Sequence, residues 1–164
     1  MTVGPTELRS VLRLWASGIT VVTAGRGQML HGMTVSSFSS VSLDPPLISV
    51  NIERRTRTYV LMTEAGAFAV SILASDQQDL ARHFGGGVPD SESRLEGVPY
   101  RLGKNGSPLL EGCLASVECR VHATLPAGTH TVFVGEVTSW DTSHGKLPLM
   151  YWQRDFRLIE ENAD

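Results

Sequence analysis

Cysteine is scarce in this 164-residue chain. Cys113 and Cys119 stand six positions apart, which on one strand is roughly 20 Å at ~3.3 Å per residue, far beyond disulfide reach. Neither belongs to a CxxC or Cys/His pair, so both read as packing residues and not as metal ligands. Positive charge is also in deficit. A formal net charge of -3 argues against a general nucleic-acid binder, which needs a basic field to displace counterions. Long hydrophobic runs are missing too: no stretch approaches the length of a membrane span, and Met1 to Ser10 lacks the basic start and apolar run of a signal peptide. A cytoplasmic protein with no membrane partner is the expectation. Finally, no GxGxxG is present, and Gly85-Gly86-Gly87 has no GxxxxGK[ST] around it and follows a helical pattern instead of opening one, so it is not a phosphate-binding loop.

What is present describes a turn-rich globular chain. Hydrophobic residues make up 41%, charged residues 19%, and there are 16 glycines and 8 prolines, which suits a single domain over 1–164 with a real core. Leu8, Val11, Leu12 and Trp15 follow helical spacing after a Thr6 cap, and Gly18 is a natural stop. Ile19 to Ala24 reads as a strand, turning at Gly25 to Gln28 towards a second near Leu30. A helix is expected from Tyr59 to Glu64, a strand from Ala67 to Leu73, and a second helix, Asp76 to Phe84, behind a Ser75/Gln78 capping box, with Leu80, Ala81 and Phe84 on one face. Val88 to Gly97 is polar enough to predict a mobile surface segment. Ala115, Val117, Cys119, Val121, Ala123 and Leu125 alternate with Ser116, Glu118, Arg120, His122 and Thr124, the pattern of a long half-buried antiparallel strand returning after Gly128 as Thr131 to Val137. Several strands, few helices and no βαβ spacing point to a small antiparallel barrel.

The densest chemistry lies in Gly32 to Thr58, GMTVSSFSSVSLDPPLISVNIERRTRT. Hydroxyl and apolar residues alternate through Thr34 to Ser42, so an extended backbone could seat Val35, Val41 and Leu43 while leaving O–H and N–H groups free. Such a cradle suits a polar, planar ligand with an anionic tail; an ordinary Ser/Thr-rich strand and loop is the alternative. Asp44-Pro45-Pro46 must break the strand, because proline supplies no ladder donor. Beyond it Leu47, Ser49 and Asn51 share one face and Ile48, Val50 and Ile52 the other. Glu53 to Thr58 then leads into a helix start flanked by hydroxyls and guanidinium groups, either a phosphate site or a solvated turn capped by Thr56 or Thr58.

Three segments carry a family resemblance: MTVSSFSSVSLDPPLISV with the following RRTRT, GTHTVFVGEV, and PLMYWQRDFR. In their order and spacing they resemble the short-chain flavin reductases of two-component monooxygenases. The resemblance implies a mainly β chain with a few short helices, folded as an antiparallel Greek-key split β-barrel of the FMN-binding type. It implies FMN or FAD as the flavin, NADH or NADPH as reductant, a homodimer, and a partner monooxygenase that receives reduced flavin; a non-catalytic flavin carrier on the same barrel is the alternative. Carried over by residue, Thr34, Val35, Ser36 and Ser37 meet the flavin ring and ribityl region. Asn51, Thr56 and Thr58 fall at its ribityl or phosphate end, assisted by Arg55, and Phe84 approaches the cofactor after the second helix. His130, in a Gly-Thr-His that more often reads Gly-Asp-His, is implied to orient the nicotinamide, with Thr129 at the acid's position leaving its partner open. Tyr151 lies on an expected terminal barrel strand, Pro148 to Trp152, as a wall of the site or as a core or dimer contact.

Overall fold

Short β-branched and alternating segments, punctuated by glycine and proline turns, leave room for few helices. In the computed structural model, which describes residues 3–87 and 93–159, helix α1 (Pro5–Leu12) precedes β1 (Ser17–Gly18) and a hairpin of β2 (Thr20–Arg26) with β3 (Met29–Val35). A second hairpin, β4 (Ser39–Leu43) with β5 (Pro46–Glu53), leads through α2 (Arg57–Ala65) into β6 (Ala67–Ile72). Helix α3 (Gln78–Arg82) runs into a π turn over His83–Gly87. Then come the small hairpin β7 (Tyr100–Leu102) and β8 (Pro108–Leu110), the long pair β9 (Ala115–Ala127) and β10 (His130–Thr142), and the closing strands β11 (Met150–Trp152) and β12 (Asp155–Arg157).

Seven strands form one antiparallel sheet in the order β3-β2-β6-β9-β10-β5-β4. Strands β6, β9 and β10 are successive neighbours and β5 lies beside β10, a Greek-key arrangement. The sheet curls on itself: Val22 and Val35 from one side, Ile48, Val50 and Ile52 from the other, and Phe68, Val70, Cys119 and Phe133 between them share a single buried cluster. Leu61 and Met62 of α2 close this interior. Each such large side chain contributes about 1.5–3 kcal/mol when fully buried, so the barrel interior dominates stability. On β5 the inward set is Ile48, Val50 and Ile52, leaving Asn51 exposed on the opposite face. Both cysteines are buried free thiols, and burial pushes Cys119 up to about 12, as suits a packing residue.

Several expectations are corrected by tertiary context. Helix α1 is capped by Gly4, with Pro5 in its first turn, and buries none of its residues; Trp15 is 75% exposed. Gly18 is not a stop but part of β1, paired with Met150 of β11. The helix expected over Asp76 to Phe84 begins only at Gln78, as α3, because Gln77, not Ser75, is at its start, its Oε1 accepting the Ala74 N–H at 3.0 Å. Val41 and Leu43 lie exposed on the edge strand β4 instead of seating in a core. Alternation along β9 also misleads. Ser116 and Glu118 are buried, with the Glu118 carboxylate accepting the Asn105 N–H at 2.9 Å, whereas Ala123 and Leu125 are exposed, beyond Arg120 where the pairing of β9 with β6 ends. The segment expected to be mobile lies partly outside the described residues, yet its Arg94 and Leu95 are buried. Strand β11 joins β1 and β12 in a separate three-stranded sheet and is not a barrel strand.

Candidate functional site

The end of β5 organises the site. Glu53 closes that strand opposite His130, the first residue of β10, and the chain then turns through Arg54, Arg55 and Thr56 into α2. Thr56 is the N-cap: its Oγ1 donates to the Glu53 carbonyl at 2.8 Å and accepts the Tyr59 N–H at 3.3 Å. A capping hydroxyl with the positive end of a nine-residue helix behind it favours an anion nearby. Facing this turn across a cavity of about 320 Å³ are Met33 and Thr34 from the end of β3, Phe84 to Gly86 from the π turn, and Arg94. Glu53, Arg55 and Thr56 form the near wall.

Local bonds hold each wall. Thr34 Oγ1 donates to the Ala81 carbonyl at 2.7 Å, tying β3 to α3. Gly32 lets the Phe84 ring lie against β3: a Cβ there would stand 3.1 Å from Phe84 Cε1 and 3.0 Å from Thr23 Cγ2. Arg94 Nη1 donates to the Phe84 carbonyl at 3.1 Å. Arg55 Nε donates to Glu53 Oε1 at 2.9 Å, an exposed pair that contributes little to stability.

The sequence-predicted residues divide into groups. Thr34, Arg55, Thr56 and Phe84 line the same cavity, although the Phe84 ring is fully buried. Ser37 and Asn51 are joined nearby, Ser37 Oγ accepting the Asn51 N–H at 2.9 Å. Ser36 is exposed. Val35 turns its side chain into the barrel core, so only its main chain faces outward. Thr58 is fully buried and its Oγ1 lies 2.9 Å from His31 Nδ1, which places its hydroxyl behind the cavity wall. His130 stands exposed at the tip of the β9–β10 hairpin, where Arg54 N–H donates to the Thr129 carbonyl at 3.1 Å and the Arg54 guanidinium to the Gly128 carbonyl. The partner left open by the missing acid is Thr129 itself, whose Oγ1 lies 2.9 Å from His130 Nδ1. Tyr151 lines a different cavity, with Leu12, Trp15 and Arg154, and its ring packs 5.6 Å from that of Phe156.

Five lining residues were not among the predicted site residues: Met33, Glu53, Gly85, Gly86 and Arg94. The glycines read as a helix stop and Arg94 as one charge in a solvated segment. Only the fold brings them to β3 and α2. Among the described residues no cluster of three or more His, Cys, Asp or Glu could hold a metal, and no helix is long and apolar enough to cross a membrane.

An antiparallel barrel with a cleft of hydroxyls, guanidinium groups and glycine main chain has the donor set for a ligand that is polar and anionic at one end. Comparison with known proteins makes the class specific. Residues 12–160 match the flavin reductase like domain. The chain is 40% identical to an NADH-dependent flavin reductase from a Rhodococcus species, covering 96% of this chain and 88% of that one. It is 36% identical to the reductase component of 4-hydroxyphenylacetate 3-monooxygenase from Thermus thermophilus, over 92% of this chain and 94% of the relative. The Streptomyces globisporus NADH:FAD oxidoreductase, solved in complex with NAD and FAD fragments, superposes with a TM-score of 0.90 at 34% identity, covering 100% of this chain and 99% of that one. The chain therefore belongs to the flavin reductase family of oxidoreductases and has its split-barrel fold.

Proposed function

We propose that this protein, acting as one domain, reduces FAD or FMN with NADH and hands the reduced flavin to a partner monooxygenase. The observation that carries this reading is the convergence of Thr34, Thr56 and Phe84 on one cavity, beside a turn that holds His130 opposite Glu53. Similarity to relatives named as NADH-dependent reductases and as a monooxygenase reductase component supports the choice of reductant and partner. When bound, the flavin and nicotinamide would supply the electronic chemistry, hydride transfer between the two rings.

The chain's own residues then have to bind and align. The main chain of Thr34 to Ser37, with the Ser37–Asn51 bond holding it against β5, presents polar groups to the ring and ribityl edge. Thr56 and the start of α2 receive the phosphate end, with Arg55 adding charge. Thr58 acts through His31, buttressing the helix start from behind. His130 orients the nicotinamide, its ring held by Thr129 at Nδ1, which leaves Nε2 for the ligand. No strong acid-base pair is required, since alignment at reactive distance is the protein's main contribution.

The direct test is anaerobic oxidation of NADH and NADPH, followed at the nicotinamide absorbance with and without FAD or FMN. Flavin-dependent oxidation, faster with NADH, is the expected result. Flavin binding without oxidation above a protein-free control would replace the reductase reading with that of a carrier. The reading includes a cytoplasmic homodimer: Leu8, Val11, Leu12 and Trp15 of the α1 region form an exposed apolar face that association would cover. Sedimentation velocity showing only a 17.8 kDa species would overturn the dimer.

A further inference from the structure

We propose that the cavity between α2 and the distal half of the β9–β10 hairpin is a second ligand site, built for a neutral, single-ring aromatic molecule with one hydroxyl, a phenol. It is separate from the flavin cavity and does not depend on the flavin reductase reading. Directly opposed residues of an antiparallel pair share a face, so the pairings Phe133↔Thr124 and Thr131↔Pro126 put these four side chains on one side of the hairpin. Phe133 belongs to the barrel core, which makes that side the inner one. Tyr59 and Met62 of α2 lie over it, with a cavity of about 280 Å³ between helix and hairpin. His130 precedes Thr131 on the same strand and by two-residue alternation faces away from this cavity.

Burial sorts the lining. Met62 and Phe133 form a floor with at most 1% exposure, while Thr124 and Pro126 make an exposed rim. The Tyr59 and Phe133 rings meet edge to face, with centroids 5.8 Å apart and planes at 72°, a geometry that a further ring can extend. The floor also holds one polar group that the fold leaves unsatisfied. Thr131 is 3% exposed, and its Oγ1 has no hydrogen-bond partner among the described residues. Nearly all buried polar groups in native proteins are paired and an unpaired one is destabilising, so this hydroxyl marks where a polar ligand atom belongs. By contrast, the Thr63 hydroxyl on the same lining already donates to the Tyr59 carbonyl at 2.8 Å.

What the lining lacks fixes the charge of the ligand. Among the described residues no Asp, Glu, Lys, Arg or His lines this cavity, so a carboxylate or ammonium would lose its hydration with nothing to replace it. A wholly apolar molecule would leave Thr131 unpaired. A phenol meets both conditions, with its ring against Tyr59, Met62 and Phe133 and its hydroxyl paired with Thr131 Oγ1. Drug-sized ligands occupy about 300–1,000 Å³, so the volume here suits a single ring.

The experiment titrates phenol, toluene and benzoate into the unaltered full chain, Thr131→Val and Thr131→Ser by ligand-observed NMR, with and without saturating FMN. Phenol should bind the unaltered chain with a dissociation constant of about 1 mM or tighter, a modest efficiency for so small a ligand. It should bind about 3- to 10-fold tighter than toluene, the worth of one buried hydrogen bond, and about 10-fold or more tighter than benzoate. Thr131→Val keeps the shape and removes the hydroxyl, so it should abolish the preference for phenol while toluene affinity stays within about 2-fold. Thr131→Ser should retain the preference. Because that preference is a ratio read within one protein, a change in stability does not mimic it. Saturating FMN should leave phenol affinity within about 2-fold, since the two cavities share no lining residue. Should Thr131→Val fail to fold, Thr131→Ala, which also lacks the hydroxyl, takes its place. Absence of phenol binding, equal affinity for phenol and toluene in the unaltered chain, or a preference that survives loss of the hydroxyl would overturn the proposal. Displacement of phenol by FMN would place it in the flavin cavity and overturn it equally.

Discussion

Phe68→Ala is expected to lower the unfolding free energy by ~3–5 kcal/mol, the range for a fully buried phenylalanine that leaves a cavity behind. Phe68 has no exposed surface and sits in the barrel interior with Val22, Val70, Cys119 and Phe133. Its ring takes the space that a side chain on β10 would fill: a Cβ on Gly135 would stand 2.5 Å from Phe68 Cζ and 2.9 Å from Cys119 Cβ. Gly135→Ala alone is therefore an overpacking change and should cost about 1–3 kcal/mol. The two residues touch, so their effects should not add: Phe68→Leu should relieve part of the Gly135→Ala penalty. Urea denaturation of the single and double variants checks this. Additivity within ~0.5 kcal/mol would show that Gly135 is crowded by something other than Phe68.

The second large effect is expected at the tip of the β9–β10 hairpin. His130→Ala should reduce kcat/KM for NADH by about 10²-fold, the scale on which misplaced reactants lose rate. Flavin affinity should change by less than about 2-fold, because Thr34, Thr56 and Phe84 line the cavity and His130 does not. Thr129→Val removes the hydroxyl 2.9 Å from His130 Nδ1 and should cost less, about 10-fold or under, the worth of one neutral hydrogen bond. Rapid mixing of NADH with flavin-loaded protein under anaerobic conditions separates the two quantities, since it reads flavin reduction apart from flavin binding. Unchanged reduction rates in His130→Ala would remove His130 from nicotinamide positioning.

The legible parts of the structure are those governed by local physics. Two-residue alternation identified the inner face of β5, because Ile48, Val50 and Ile52 must all lie on one side of a pleated strand. A cap at Thr56 or Thr58 was readable from the hydroxyls and the pattern that follows, and Thr56 is the one that caps α2. The same rule failed on β9, where Glu118 is buried and Leu125 is not. Alternation reports which residues share a face; whether that face is covered depends on what packs there. The loop carrying Asn105 covers one face of β9 near Glu118, whereas among the described residues Leu125 near the hairpin tip stays exposed. Helix α1 shows the same limit: its apolar spacing is real, but its face is exposed.

At the site the division has the same cause. Hydroxyl alternation, the Pro-Pro break and the basic turn of Gly32 to Thr58 are short-range chemistry, so the chain by itself determined a β-rich architecture and left a cradle for a polar, anionic ligand open beside an ordinary Ser/Thr-rich strand and loop. Its likeness to flavin reductases added the cofactor. Tertiary structure alone decided which groups meet. It sent Thr58 behind the wall, moved Tyr151 to another cavity, and placed Thr129 beside His130. It also brought Arg94 from more than thirty positions beyond Thr56 to the same cavity. Contacts across such separations follow from strand order and the curl of the sheet, which depend on burial summed over the whole barrel and leave no periodic trace around any one of these residues.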